Sequence, residues 1–520
     1  MPGENIILVE EIIVVLLLIA SVIAVLTRRL RIPYTVGLVL IGVALSLLSP
    51  TTINISPQII LALLVPPLVF EAAFHLRLED LRRDFWLIML LAVPGVILTT
   101  LMVGGLVAWG TGLTIQAAMV FGALISATDP VSVVALFRRL GVPRRLQVLL
   151  EGESLFNDGT AIVMFNLMLS VALAGKFNAI ISIRDFLAVA GGGVLIGIAL
   201  GLLISKTIER IDDPLVETTL TTVLAFGSYL VAEYFHVSGV LAVVAAGIVN
   251  GNAGSGGMSA TTRVVVFNFW EYAAFIANSF IFLLIGLTIN MNAMLQNGSA
   301  IFWAILAALA ARAVSIYGFS IFGREISAKW KHVLFWGGLR GAIALALALS
   351  LPETGSLAPV RESLQAMAFG VVIFTLLVQG VSTDWLVKRL KLVQRSESQD
   401  QYELRHARFV AGRAGLEAVR RMNWQGLISE HTWQKLSPLL QKQNEKLVEA
   451  VRDVITSDPA VEAEELDTAR RESLRAQRNA FRSLLRDGVI SEESYSMLVS
   501  EVDTALMGED PTWGQFTQGE

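Results

Sequence analysis

Two short stretches set acids, amides and hydroxyls inside otherwise apolar sequence. The first is Ala127-Thr128-Asp129-Pro130, near the middle of the apolar segment 115–137. Pro130 has no N–H, and its ring clashes with the preceding turn, so a helix carrying it breaks or unwinds there. In a membrane span, carbonyls freed by a break are tolerated only where they line a cavity or bind something. Asp129, the Thr128 hydroxyl and such carbonyls are hard oxygen donors, suited to a small hard cation rather than to a soft metal. A plainer role fits equally: Asp129 could cap the half-helix after Pro130 by accepting from its free N–H groups.

The second stretch is Glu151-Gly152-Glu153-Ser154-Leu155-Phe156-Asn157-Asp158-Gly159-Thr160, opening into an apolar helix. Ser154 and Asp158 are four apart, so on a helix their side chains share one face, and Glu153 and Asn157 share the adjacent stripe. Ser154 as an N-cap with Asp158 as an N-terminal charge is the plainer alternative. Capping does not explain Asn157 and Asp158 lying well inside the apolar run. An ionisable group at the bilayer centre costs at least ~2.5 kcal/mol, which makes each one there a candidate for function.

Two arginines pose the same question. Arg312 follows Ala310 and Ala311 in mid-helix, and Arg340 sits in Gly337-Gly338-Leu339-Arg340-Gly341-Ala342. An unpaired buried guanidinium is too costly, so each needs a carboxylate or several carbonyls. Glu153 is the obvious carboxylate for Arg312, while Arg340 suits the carbonyls of an unwound segment; both could also be purely structural. The glycines around Arg340 fit a discontinuous helix or close helix packing. Glu71 and His75, at the end of the third apolar segment beside Arg77, read as interfacial.

Positioning these residues falls to an all-α polytopic membrane protein. Of 520 residues, 54% are hydrophobic and only 16% charged, with a mean hydropathy of +0.64. A soluble domain carries about 25% charged residues. Long apolar runs of about 17–25 residues set the spans. About thirteen are expected: 6–26, 33–48, 57–75, 87–109, 115–137, 147–174, 186–208, 217–235, 239–250, 265–289, 300–322, 332–351 and 363–389. The N-terminal segment holds Glu4, Glu10 and Glu11 but no Lys or Arg, so it reads as a retained span rather than a secretory signal.

Lys and Arg fix the expected orientation. Arg28, Arg29 and Arg31, then Arg77, Arg82 and Arg83, then Arg138, Arg139, Arg144 and Arg145 lie in odd-numbered loops, followed by Lys206, Arg210, Arg263, Arg324, Lys329 and Lys331. The even-numbered loops hold only Lys176, Arg184 and Arg361. That alternation puts the N-terminus outside and the C-terminus in the cytoplasm of a cell-membrane protein. After residues 1–394 the composition changes abruptly. Residues 395–520 are rich in Glu, Arg, Gln and Ser with amphipathic runs at 404–419 and 462–485, as in a soluble helical domain of regulatory or assembly role.

Several classes are excluded or disfavoured. The absence of Cys removes thiol catalysis and disulfides, the five His show no metal spacing, and a net charge of −4 without a basic stripe argues against nucleic acid. No cofactor is expected. A channel would show a repeated selectivity filter, and an intramembrane aspartyl protease would need two carboxylates close enough to share a proton.

At these residues the chain resembles the cation:proton antiporter-1 family, the NhaP-type Na+/H+ antiporters related to animal sodium–proton exchangers. The matching segments are Ala127-Thr128-Asp129-Pro130-Val131, Glu153-Ser154-Leu155-Phe156-Asn157-Asp158-Gly159-Thr160 and Gly337-Gly338-Leu339-Arg340-Gly341-Ala342-Ile343. The resemblance implies an inverted-repeat fold whose broken helices, here 115–137 and 332–351, cross at the midplane, and usually a homodimer. It implies Asp158, Asp129, Ser154 and Thr128 as cation ligands, Asn157 as support, and Glu153 orienting Asn157 while pairing with Arg312 or Arg340. The expected activity is exchange of Na+ or Li+ for H+ at Asp158, one for one and electroneutral, serving sodium or pH homeostasis. K+/H+ exchange on the same scaffold is the alternative.

Overall fold

In the computed structural model the described residues are 2–30, 33–48, 60–175, 178–211, 213–254, 258, 260–322, 326–392 and 397–507. Arg31, Lys176 and Arg324 of the sequence reading lie outside them. The chain divides into two compact units, Met1–Gln394 and Arg395–Glu520. All regular structure among the described residues is helical.

The first unit carries helix in every expected span. Among the described residues, seven helices are long and apolar enough to cross a membrane on their own, including Arg144–Ala174, Ala179–Ile208 and Gly298–Phe319, and shorter apolar helices accompany them. Their starts are written locally. Asn178 accepts from the amides of Ile180 and Ile181, Asp213 from those of Leu215 and Val216, and Ser238 from that of Leu241. Each meets N–H groups that a helix start leaves without partners. Ile180, Leu187, Leu195 and Leu202 stand exposed on one long helix, a surface suited to hydrocarbon.

Two spans depart from continuous helix. Residues 115–137 form Ile115–Leu124 and Val131–Leu140, and residues 332–351 form Ala328–Trp336 and Ala342–Leu349, with non-helical stretches around Pro130 and between Gly337 and Gly341. The breaks meet: the Asp129 amide donates to the Leu339 carbonyl at 2.8 Å, one backbone joining the other where both have left the helix. Gly341 is required at this crossing, because a Cβ there would overlap the Asp129 side chain. The span expected at 87–109 instead runs from Leu78 to Thr111 across Pro94, and the short helix Met291–Gln296 was not legible in the sequence.

The second unit holds four helices, Glu397–Trp424, Glu430–Ser457, Pro459–Arg486 and Glu492–Met507, packed as successive hairpins. The hairpin turns are near copies. Gly426-Leu427-Ile428-Ser429-Glu430 recurs as Gly488-Val489-Ile490-Ser491-Glu492. Both glycines are left-handed, at φ 69° and 71°, and both serines cap the next helix, accepting from Thr432 and Ser494. This internal repeat escaped the sequence reading.

Gly341→Ala should lower the thermal midpoint of the purified protein, since overpacking a crossing costs about 1–3 kcal/mol. Gly318→Ala, where a Cβ meets nothing within 4 Å, should leave the midpoint in place. An unchanged midpoint for Gly341→Ala would contradict the packing at the crossing.

A carboxylate cluster at the crossing of two broken helices

Asp158 and Ser154 come from the helix Arg144–Ala174, whose first turn lies ten residues before Ser154, so neither residue is a cap. Ser154 Oγ instead donates to the Thr128 carbonyl at 2.5 Å, a carbonyl that the first break has freed. The Thr128 amide faces the Asp158 carboxylate. Asp129 does cap: its Oδ1 accepts from the Val131 amide at 3.0 Å. It also lines the adjoining cavity.

That cavity, about 200 Å³, is lined by Thr128, Asp129, Pro130, Ser154 and Asp158. Glu71, His75, Arg138 and Glu151 line it too, and a wider space of about 660 Å³ shares His75, Arg138 and Glu151 with it and adds Arg77, Arg144 and Arg263. His75 Nδ1 lies 3.2 Å from the Glu71 carboxylate and 2.8 Å from the Glu71 carbonyl. The sequence reading placed those two at an interface; the structure turns them toward the same cavity as Asp158. No charge signal in the sequence marks that direction, which depends on the face the helix Val65–His75 presents.

Behind Asp158 the charges are matched. Arg312 grips Glu153 with both ends of its guanidinium, at 2.8 and 3.0 Å, and also donates to the Leu334 carbonyl at 3.0 Å. Both residues are buried. Arg340 donates to the carbonyls of Ser126 and Ala127 at 2.9 and 3.2 Å, so it neutralises the unwound strand of the first break while extending from the second. The choice left open by sequence falls to Arg312 as the partner of Glu153. Asn157 links the two levels: its Nδ2 donates to Glu153 Oε1 at 3.0 Å and to Thr128 Oγ at 3.3 Å, while its Oδ1 has no hydrogen-bond partner. Neither Asp158 nor Asp129 is in an ion pair among the described residues, so both remain available to a mobile cation.

Removing one partner of a buried pair strands the other charge, at a cost of about 3–5 kcal/mol. Arg312→Leu and Glu153→Gln should each sharply lower the thermal midpoint, and the double substitution should recover much of the loss. Additive losses in the double variant would contradict a dominant pair.

The profile of the family described as "Sodium/hydrogen exchanger, transmembrane" matches residues 14–389. The Na(+)/H(+) antiporter ApNhaP of Aphanothece halophytica is 42% identical over 397 residues, 75% of this chain and 75% of its own. The low-affinity Na(+)/H(+) antiporter NhaS1 of Synechocystis sp. is 35% identical over 481 residues, 90% of this chain and 91% of its own, so that match extends into the second unit. The solved structure of the sodium proton antiporter MjNhaP1 from Methanocaldococcus jannaschii shares the fold, with a TM-score of 0.64 at 22% identity over 75% of this chain and 100% of that one. With its broken helices crossed over two unpaired carboxylates, the chain belongs to the sodium/hydrogen exchanger family.

Proposed function

We propose that this protein exchanges Na+ or Li+ for H+ across the membrane by letting cation and proton compete for Asp158. The observation that carries this reading is the position of Asp158: an acid with no ion-pair partner among the described residues, lining a cavity with Asp129, Ser154 and Thr128. Asp158 and Asp129 supply charge to the cation, and Ser154 and Thr128 supply neutral oxygens. Hard oxygen donors of this kind suit a small alkali cation. Asn157 steadies Thr128 and offers its free Oδ1. Glu153 orients Asn157 and is itself held by Arg312. Pro130 keeps the break open, and Arg340 compensates the carbonyls it frees. The printed names of the relatives, Na+/H+ antiporters, support the substrate pair.

The charge count supports a one-for-one cycle. Three carboxylates (Asp129, Glu153 and Asp158) face two guanidinium groups (Arg312 and Arg340), so the cluster is one negative charge from neutral. Binding one Na+ or one H+ completes it. Moving an uncompensated charge past the midplane costs at least ~2.5 kcal/mol, which penalises crossing by the empty carrier and enforces exchange. Arg77, Arg138, Arg144 and Arg263 line the wider space, and the bias of Lys and Arg supports a cytoplasmic side for it. The same bias supports an N-terminus outside and a cytoplasmic second unit of regulatory or assembly role, and the family resemblance supports a homodimer.

Proteoliposomes with a preset pH gradient test the reading. Na+ and Li+ should dissipate the gradient in the wild type, and Asp158→Asn should be silent while retaining the wild-type thermal midpoint. Dissipation by K+ alone would move the substrate to K+, and full activity in Asp158→Asn would remove Asp158 as carrier.

A further inference from the structure

The exchange reading uses the face of the crossing that looks onto the large cavity. The opposite face carries a far smaller one, about 10 Å³, lined by Arg312, Gly338, Arg340, Thr375 and Gln379 among apolar side chains. Thr375 and Gln379 belong to the wide π-helical turn Thr375–Gly380 of the last span, and both side chains are buried. Such turns are rare and concentrate at functional sites. This one backs the second break directly, because Thr375 Oγ accepts from the Arg340 amide at 3.1 Å. Gly338 completes the arrangement: a Cβ there would run into the Arg312 guanidinium, so the break must pass Arg312 as bare backbone.

Two polar atoms facing this small cavity lack partners. Arg312 Nε–H, a donor, and Gln379 Oε1, an acceptor, are buried and make no hydrogen bond, to each other or to any other described group. Their residues are 6% and 2% exposed. A buried group left without a partner costs about 1–3 kcal/mol, and here one donor and one acceptor line the same space. A cavity of this size matches one water, which needs ~10–15 Å³ and two to four polar partners. Thr375 Oγ, which already donates to Val372 and accepts from Arg340, retains a lone pair for a third contact.

We propose that one ordered water is bound behind the crossing, accepting from Arg312 Nε–H and donating to Gln379 Oε1 and Thr375 Oγ, and that Gln379 is thereby a positioning residue for the cation site. The connection runs from Gln379 through the water to Arg312, from Arg312 to Glu153, from Glu153 to Asn157, and from Asn157 to Thr128 beside Asp158. It fixes the third side of a guanidinium whose other two sides are held by Glu153 and Leu334. The role of Gln379 rests on the exchange reading; the water itself does not.

A water-resolving structure of the full chain in a lipid nanodisc decides the water, and Na+ titrations in proteoliposomes decide the role. Wild type should show a density peak within hydrogen-bond distance of Arg312 Nε and Gln379 Oε1, absent in Gln379→Leu. Gln379→Leu should raise half-saturating Na+ by about threefold at an unchanged maximal rate, less than the ~10–100-fold of a partner bonded directly to a metal ligand, because several links separate it from Thr128. Gln379→Asn keeps a neutral acceptor one methylene shorter and should titrate closer to the wild type than Gln379→Leu does. No wild-type density there, a direct Arg312–Gln379 bond, or a Gln379→Leu titration matching wild type would overturn the proposal. Should Gln379→Leu fail to fold, the wild-type density still decides. A wild type that exchanges no Na+ would sink the functional reading and the positioning role, leaving the water to stand or fall on density alone.

Discussion

Charge buried where neither water nor a high dielectric can compensate it must be compensated by the protein, and the membrane unit is organised around that requirement. Breaking two spans frees backbone carbonyls at the crossing. Arg340 meets those of the first break, and Arg340 is itself buried and must then be balanced. Glu153 is buried too, and Arg312 meets it with a two-pronged contact. With Glu153 matched by Arg312, Arg340 offsets one of the two remaining carboxylates, and Asp158 and Asp129 face the cavity with one net negative charge between them. Small residues follow from the same geometry, since Gly341 admits Asp129 and Gly338 admits Arg312.

The parts legible in sequence were those with local signatures. Pro130 inside an apolar run announced the first break, the glycines flanking Arg340 announced the second, and the four-residue spacing of Ser154 and Asp158 put them on one face. Acids and arginines in apolar surroundings stood out because they are expensive there. What stayed hidden depended on which face an element turns inward. Glu71 and His75 sit near a helix end and a surface arginine, yet the packing of Val65–His75 aims them at the cavity. Glu153 could have chosen either arginine, and only the approach of the helix Gly298–Phe319 settles the pair on Arg312. Gln379 carries no charge and lies in an apolar helix, so nothing but its orphaned oxygen in three dimensions marks it. The repeated turns of the second unit were readable as Gly-x-Ile-Ser-Glu; composition drew attention to the helices on either side instead.

The two units follow different rules for holding helices together. In the membrane unit close approach depends on small residues and on polar bonds between helices, as expected where lipid removes the hydrophobic drive between spans. In the second unit each amphipathic helix needs its neighbour to cover an apolar stripe, and Val451, Val454, Val461, Leu474 and Val502 are the buried residues of that stripe. Duplicated hairpins joined by identical turn chemistry supply such cover twice.

The central claim is that one monovalent cation or one proton neutralises the buried cluster, so that both loaded forms cross the membrane without net charge. Na+-driven pH change should therefore be measured in proteoliposomes while a K+ diffusion potential of either sign is imposed. The charge count predicts initial rates that do not vary with the potential. Rates that rise with one polarity and fall with the other would show net charge moving in the cycle and would contradict it.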